Sequence, residues 1–441
     1  MRILLAVHQF FPQFRAGTET LTRRTAEELQ RRGHQVWVLA AQPHEPAQPR
    51  LRRERWEQLD VIRFNPEPER HPLAGGMAAS YRCPGSYPVF MELLAELRPD
   101  LLHLFHLRRH TLSLVDAAIA TQVPMVASLT DYWLACPTGQ LQFPEQLPCA
   151  GPCADGANCL QHLSARLLPG QRGLPLPLAS VLMRLARRST WLSTLRALRD
   201  RPRAMAAALA SCQAVLVPST LMRNTFEQLG IPAQRFAICP YGLDLQGLQA
   251  LPPRKPWPGP QVRPLRVGFI GSFNRAKGAH VLLEALARLG KDFVAEVRLY
   301  GNIADDPAYA AHLQRQAADL PQVEWCGVFG ADQVFEVLAE LDLLVVPSLW
   351  RENAPLILLQ ALASGLPLLL SDVEGMADQV EAGRQALLFP AGESGALAVL
   401  LQTCQEQPER LARLVNQGGE PRSIADYGDQ LERIYARLQR G

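Results

Sequence analysis

Lysine is almost missing from this chain: it occurs only at positions 255, 277 and 291, although Lys and Arg together number 45. Nearly all the positive charge is therefore arginine, a usage that, with abundant Ala, Leu and Pro, suggests a GC-rich bacterial genome. A large excess of charge of either sign is also missing. A formal net charge of +3 over 441 residues is too small to imply a nucleic-acid partner. Long hydrophobic runs are absent as well. MRILLAVHQFFP carries only a five-residue apolar run before polar residues, so no signal peptide is expected, and no stretch of about 18 apolar residues suggests a membrane span. Nine cysteines, an odd number with no export signal, point to a reducing compartment. The cytoplasm is the expected location, with the inner face of the cytoplasmic membrane as a peripheral alternative.

A chain of 441 residues exceeds the size at which one core keeps growing, so two domains are expected. The first half alternates apolar strands with helical patterns: RILLAV, HQVWVLA, LDVIRF, DLLHLF, VPMVASL and AVLVPS make about six strands before residue 240. Such alternation implies parallel βαβ units of a Rossmann-like kind. The stretch LPPRKPWPGPQVRP cannot sustain a helix or central strand, so 245–264 reads as a linker. A second series follows with LRVGFIG, AEVRLYG, VEWCG, LDLLVVP, LPLLLSD and ALLFP. The expected division is a first domain over 1–244, a second over 265–423, and a closing helix within 424–441.

Two loops of the second series carry chemistry. Residues 347–367, PSLWRENAPLILLQALASGLP, place the carboxylate of Glu352 between a buried strand, 341–346, and a helix that ends at Gly365. Asn353, Ala354 and Pro355 supply a cap and first turn, and Gln360 lies about 9 Å beyond Ala354 along the helix. Open α/β sheets bind ligands in the crevice at the strand C-termini, where this carboxylate falls. The other loop runs from Gly271 through Ser272, Arg275 and Lys277 to Gly278, between a strand and a helix. Glycine allows close backbone approach and a helix N-terminus favours negative charge, so the segment is built for an anion. It lacks the Walker pattern, which disfavours a P-loop NTPase. A lysine here, in a chain with three, marks the loop as more than a solvated turn.

A glutamate followed by seven residues and a second acid resembles the donor-sugar motif of the retaining glycosyltransferases of family 4, which have the GT-B fold. This chain keeps Glu352 but has Gln360 at the second position. The resemblance implies two Rossmann-like domains facing a cleft, a final helix crossing back to the first domain, and transfer of a sugar from a nucleoside diphosphate to a hydroxyl acceptor. It implies that Arg275, Lys277 and Glu352 form the catalytic set, the two cations holding the diphosphate as the glycosidic bond breaks. Gly271 and Ser272, with Glu352 and the following Asn353, Ala354, Pro355 and Leu356, are then donor contacts, and Gln360 meets the ribose. No cofactor is implied beyond the nucleotide-sugar substrate, and no protein nucleophile is required. Saccharides, lipid-linked molecules and small molecules are all open as acceptors, in polysaccharide, glycolipid or glycoside biosynthesis.

On the acceptor side the resemblance points to Gly17, His106 and Asp131. Ala16 and Thr130 stand where the family commonly has glycine and histidine. These departures, with Gln360, leave open a non-catalytic nucleotide-sugar binder. An epimerase on the same fold needs an acid/base pair that the sequence does not display.

Two further features have competing readings. Cys136, Cys149, Cys153 and Cys159 crowd the loop 136–159, where four thiolates suit a structural metal, although paired C-x2-C knuckles are missing and free thiols or disulfides remain open. The region 164–210, above all 166–203, is rich in Arg and Leu and suits either a solvated helix pair or peripheral contact with an anionic membrane.

Overall fold

The computed structural model describes residues 1–143, 148–167, 173–187 and 192–438. It divides into two units, Met1–Pro240 with Ala425–Gly441, and Tyr241–Ile424.

The first unit is built on an eight-stranded sheet of β1 (Arg2–Val7), β2 (Gln35–Ala41), β3 (Leu51–Trp56), β4 (Leu59–Phe64), β5 (Leu101–Leu104), β6 (Met125–Ser128), β7 (Ala214–Val217) and β8 (Phe236–Ile238). The spatial order is β3-β4-β2-β1-β5-β6-β7-β8. Every neighbouring pair is parallel except β3 with β4. Ile3 to Val7 are fully buried, as a strand covered on both faces requires. The six strands expected from apolar runs are all present, and the two that were not foreseen are the two edges. Strand β3, LRRERW, exposes Arg52, Arg53 and Arg55, which protects an edge from further pairing but removes the apolar signal. Strand β8 has only three residues.

The second unit holds β9 (Leu265–Ile270), β10 (Ala295–Tyr300), β11 (Val323–Gly327), β12 (Leu343–Val346), β13 (Leu368–Asp372) and β14 (Ala386–Pro390), in the order β11-β10-β9-β12-β13-β14. All five pairings are parallel. Strand β12 starts two residues later than expected, and Leu341, just ahead of it, packs over Gly268, where an added Cβ would sit 2.2 Å from its Cδ1.

The proline-rich stretch contains a one-turn helix, Gln246–Gln249, and then no helix or strand until β9. It is packed rather than free. Trp257 is buried with Nε1 donating to the Arg263 carbonyl at 3.2 Å, and Arg254 donates to the carbonyls of Leu338 at 2.7 Å and Ser364 at 3.3 Å. Those carbonyls end two helices, Val334–Ala339 and Leu356–Ala363, where a cation complements the helix dipole.

The closing helix, Ile424–Leu438, returns to the first unit, so the expected crossover is present up to 438; 439–441 lie outside the described residues. Arg32 bridges Asp429 at 2.6 Å and Glu432 at 2.7 Å, and Tyr435 Oη meets His103 Nδ1 at 2.5 Å. His103 is thereby a structural residue, its other nitrogen bonded to Ser128 Oγ at 2.8 Å.

Each sheet reverses its strand order at one point. In the first unit the chain moves outward from β1 through β2 to β4 and then resumes beside β1 with β5. In the second it moves from β9 through β10 to β11 and resumes beside β9 with β12. The crevices at the C-terminal ends of these pairs are the sites where such sheets take ligands.

Candidate functional site

In the second unit that crevice is formed by the loops after β9 and β12, the two loops singled out in the sequence. After β9, Asn274 caps a single 3-10 turn, Arg275–Lys277, its Oδ1 accepting from the Lys277 amide at 3.2 Å. Gly278 then adopts φ +72°, and an added Cβ would lie 1.8 Å from the Pro347 carbonyl oxygen. Only glycine lets the two loops meet this closely. The contact is completed by the Leu349 amide donating to the Ala276 carbonyl at 2.8 Å.

This closure brings Lys277 to Glu352, 75 residues apart in sequence, with Nζ to Oε1 at 2.7 Å. The same oxygen accepts from Ser348 Oγ at 2.6 Å and Trp350 Nε1 at 2.8 Å. Lys277 Nζ also lies 5.3 Å from the centre of the Trp350 ring, within reach of its π face. Glu352 is buried, whereas the lysine side chain keeps about a quarter of its surface exposed. Behind it, Gly375 at φ +84° places its Cα against the Glu352 carbonyl, and the Glu352 amide donates to the Glu374 carbonyl at 3.1 Å.

The other candidates fall around this pair in less uniform ways. Arg275 is exposed, and its charge, after burial, helps push the nearby His280 down to about 4. Gly271 and Ser272 form the turn, with Asn274 Nδ2 donating to Ser272 Oγ at 3.3 Å. Asn353 is not a helix cap: its Nδ2 donates to Tyr241 Oη at 3.1 Å. The helix starts at Leu356, with Pro355 in the capping position and no side-chain cap, so Ala354 and Pro355 precede it. Gln360 is half-buried on that eight-residue helix, about 6 Å beyond Leu356 rather than about 9 Å beyond Ala354. The difference arises because proline at 355 takes an extended ψ of 119°.

In the first unit, Gly17 is the first residue of helix Gly17–Arg31 rather than part of the preceding loop, and it is exposed. His106 follows β5. Its Nδ1 accepts from the Arg108 amide at 3.0 Å, which fixes the neutral tautomer with the proton on Nε2, aimed at Asp131 Oδ2 at 3.1 Å. Both nitrogens are therefore engaged. Burial alone would raise the Asp131 pKa, but the adjacent His106, the Trp133 amide donating to Oδ1 at 2.8 Å and the charge of Arg108 outweigh it and hold the carboxyl below its ordinary value.

Two residues that the sequence reading passed over complete this cluster. His8, directly after β1, stacks on His106 with ring centres 4.1 Å apart, and its Nε2 lies 3.5 Å from Glu19 Oε1. Glu19 is fully buried in the first turn of its helix, and burial raises its pKa; burial, then the neighbouring His106 and the charges of Arg108 and Arg109, lower that of His8. The available signal was a histidine at the end of the first strand and an acid on the first helical turn.

Of the four loop cysteines, Cys136, Cys149 and Cys159 are buried and line one small cavity, while Cys153 is exposed and lies apart from its lining. Among the described residues, no group of three or more His, Cys, Asp or Glu side chains is arranged to hold a metal ion as it stands. Residues 144–147 of that loop, and 168–172 and 188–191 of the basic region, lie outside the described residues.

Comparison with known proteins bears on both units. Residues 264–406 match the domain described as glycosyl transferases group 1, and residues 16–160 match the glycosyl transferase 4-like domain. The chain is 26% identical over 210 residues to a putative colanic acid biosynthesis glycosyltransferase, WcaL, of Escherichia coli K12, covering 46% of this chain and 50% of that protein. It is 26% identical over 231 residues to a D-inositol 3-phosphate glycosyltransferase of Rhodococcus opacus, covering 49% and 52%. The matches thus span about half the length of these curated relatives. Among solved structures, Anabaena HepE in complex with UDP and glucose superposes with a TM-score of 0.65 at 16% identity, covering 99% of each chain. Sucrose-phosphate synthase from Thermosynechococcus elongatus gives 0.67 at 17% identity, covering 99% of this chain and 98% of that one. These likenesses establish the GT-B fold.

The close approach at Gly278 is open to a stability test. Gly278→Ala is expected to lower stability by roughly 3 kcal/mol, since it adds a backbone clash to an unfavourable φ. Gly290, at φ +66° with nothing within 4 Å of an added Cβ, provides the control and should cost only about 1 kcal/mol as alanine. Equal shifts of the urea midpoint for the two variants would contradict the packing described.

Proposed function

With its two halves matched by the corresponding domains, the chain belongs to the group 1 glycosyltransferases of GT-B fold, and from that premise we propose that it is a retaining hexosyltransferase of family 4. It moves a sugar from a nucleoside diphosphate to a hydroxyl acceptor in bacterial polysaccharide, glycolipid or glycoside assembly. The observation that carries this reading is the Lys277 to Glu352 contact at the switch point of the second sheet. A cation beside a glycine turn suits the departing diphosphate, and a buried carboxylate anchored by two further donors suits sugar hydroxyls. Arg275, exposed on the same turn, adds a second positive charge. The donor thus meets preformed polar groups, and the energy of arranging them is met in folding rather than at the reaction.

On the first unit the acceptor candidates are Gly17, His106 and Asp131. Because His106 is engaged on both nitrogens, its contribution is to hold Asp131 ionised as an acceptor of hydroxyl hydrogen bonds.

A lipid-linked acceptor is favoured by the helix Leu176–Ala186. Leu176, Leu178, Val181 and Leu185 are all exposed there, and no other described helix exposes more than one large apolar residue. Arg184 and Arg187 are exposed beside them, which suits an anionic lipid surface. No described helix is long and apolar enough to cross a membrane.

Two measurements test these readings. Lys277→Ala should reduce sugar transfer, or slow hydrolysis of the donor, by roughly 100-fold or more with the fold intact by circular dichroism; activity within about threefold of the parent would sink the assignment, and a parent without turnover would favour a pure binder. Anionic vesicles should cosediment the chain at low salt, less at high salt, and less for Leu185→Asp. No cosedimentation at low salt would leave a solvated helix.

A further inference from the structure

The first unit holds an open cavity of about 660 Å3, of a size that takes small ligands, which plays no part in the reading above. Three arginines line it from two helices: Arg187 directly follows Leu176–Ala186, and Arg199 and Arg203 belong to Ser193–Ser211. Cys153, Asp155 and Gln228 supply its other polar groups, and the remaining described lining residues are apolar or glycine. Asp155 is the one acid among them.

The arginines are not cancelled where they stand. Arg187 is bonded to Asp155. Arg199 holds Oδ1 of Asp200, which lies outside the lining, with Nε and Nη2 both at 2.9 Å, and this fixes the plane of its guanidinium. Arg203 is exposed and makes no ion pair among the described residues. Three cations therefore meet two carboxylates, and the surplus lies in a concavity with otherwise apolar walls, where the field of a charge is focused. Arg199 and Arg203 stand four residues apart on one helix, so they share a face on which like charges repel. An anion between them relieves that repulsion.

We propose that this cavity binds a diphosphate group, gripped by Arg199 and Arg203, with Arg187 exchanging Asp155 for the ligand. A guanidinium offers a planar fork that matches phosphate oxygens two at a time. The two arginines are about 6 Å apart along the helix axis, a separation that two linked phosphates serve with one group each and a single carboxylate does not. The helix that exposes Leu178, Val181 and Leu185 runs directly into Arg187, which makes a lipid the carrier of the diphosphate. That last clause rests on the lipid-acceptor reading above, whereas the diphosphate site does not.

Cys153 provides the readout, since it is exposed and lies in the cavity wall. The rate at which iodoacetamide alkylates Cys153 in the full chain, followed by mass spectrometry of its peptide, is compared with and without inorganic pyrophosphate. Pyrophosphate should slow alkylation about fivefold or more in the parent, and less than about twofold in Arg203→Gln, an exposed position whose replacement leaves the fold intact. Sodium chloride or acetate at the same ionic strength should have less than about twofold effect in either. Phosphatidylcholine vesicles carrying geranylgeranyl diphosphate should protect the parent more than plain vesicles do, and Leu185→Asp should lose this vesicle protection while keeping that by pyrophosphate. Protection by pyrophosphate with none from the vesicles would overturn the lipid carrier and assign a soluble diphosphate. No protection by either, equal protection by acetate, or undiminished protection in Arg203→Gln would overturn the site itself. Lys277→Ala should be protected like the parent, so failure of the donor-site reading is seen separately.

Discussion

The second unit depends on one carboxylate oxygen. Glu352 Oε1 receives Lys277, Ser348 and Trp350 at 2.6 to 2.8 Å, and each donor comes from a different place on the two loops. The loops can supply them only because Gly278 rests against Pro347 and Gly375 against Glu352 itself, approaches that a Cβ would block. Sheet order comes first, since β9 and β12 must be neighbours before their loops can touch. Backbone proximity then sets the ion pair, and the ion pair sets a polar surface of fixed geometry. In the proposed reading, a charged ligand entering there would exchange contacts with Lys277 and Glu352 instead of ordering loose side chains.

The first unit shows the same logic with a different outcome. Its switch point gathers His8, Glu19, His106 and Asp131 from β1, the first helix and the loops after β5 and β6. Here the histidine singled out by resemblance has no free nitrogen. It helps hold Asp131 below the usual carboxylate range, while Glu19 and His8 lie behind it with shifted affinities for protons.

Much of this was legible in the sequence, for identifiable reasons. Central parallel strands are apolar throughout, so LRVGFI and LLVV declare themselves, whereas the charged edge strand LRRERW does not. A lysine in a chain with three, beside glycines and a helix start, marked the loop 271–278. What could not be read was which distant residues meet. Lys277 and Glu352 form a pair only through the sheet order. The start of the helix after Pro355 was likewise hidden, because proline is compatible with both a first turn and an extended residue ahead of it.

The central claim is that Lys277 and Glu352 act together on a nucleotide sugar. It is tested most directly by titrating UDP-, GDP-, ADP- and TDP-sugars into the parent, Lys277→Ala, Glu352→Gln and the double variant. At least one donor should bind the parent, and the two substitutions should couple by roughly 1 kcal/mol in its affinity, as residues in contact do. Binding of no nucleotide sugar, or effects that simply add, would contradict the account.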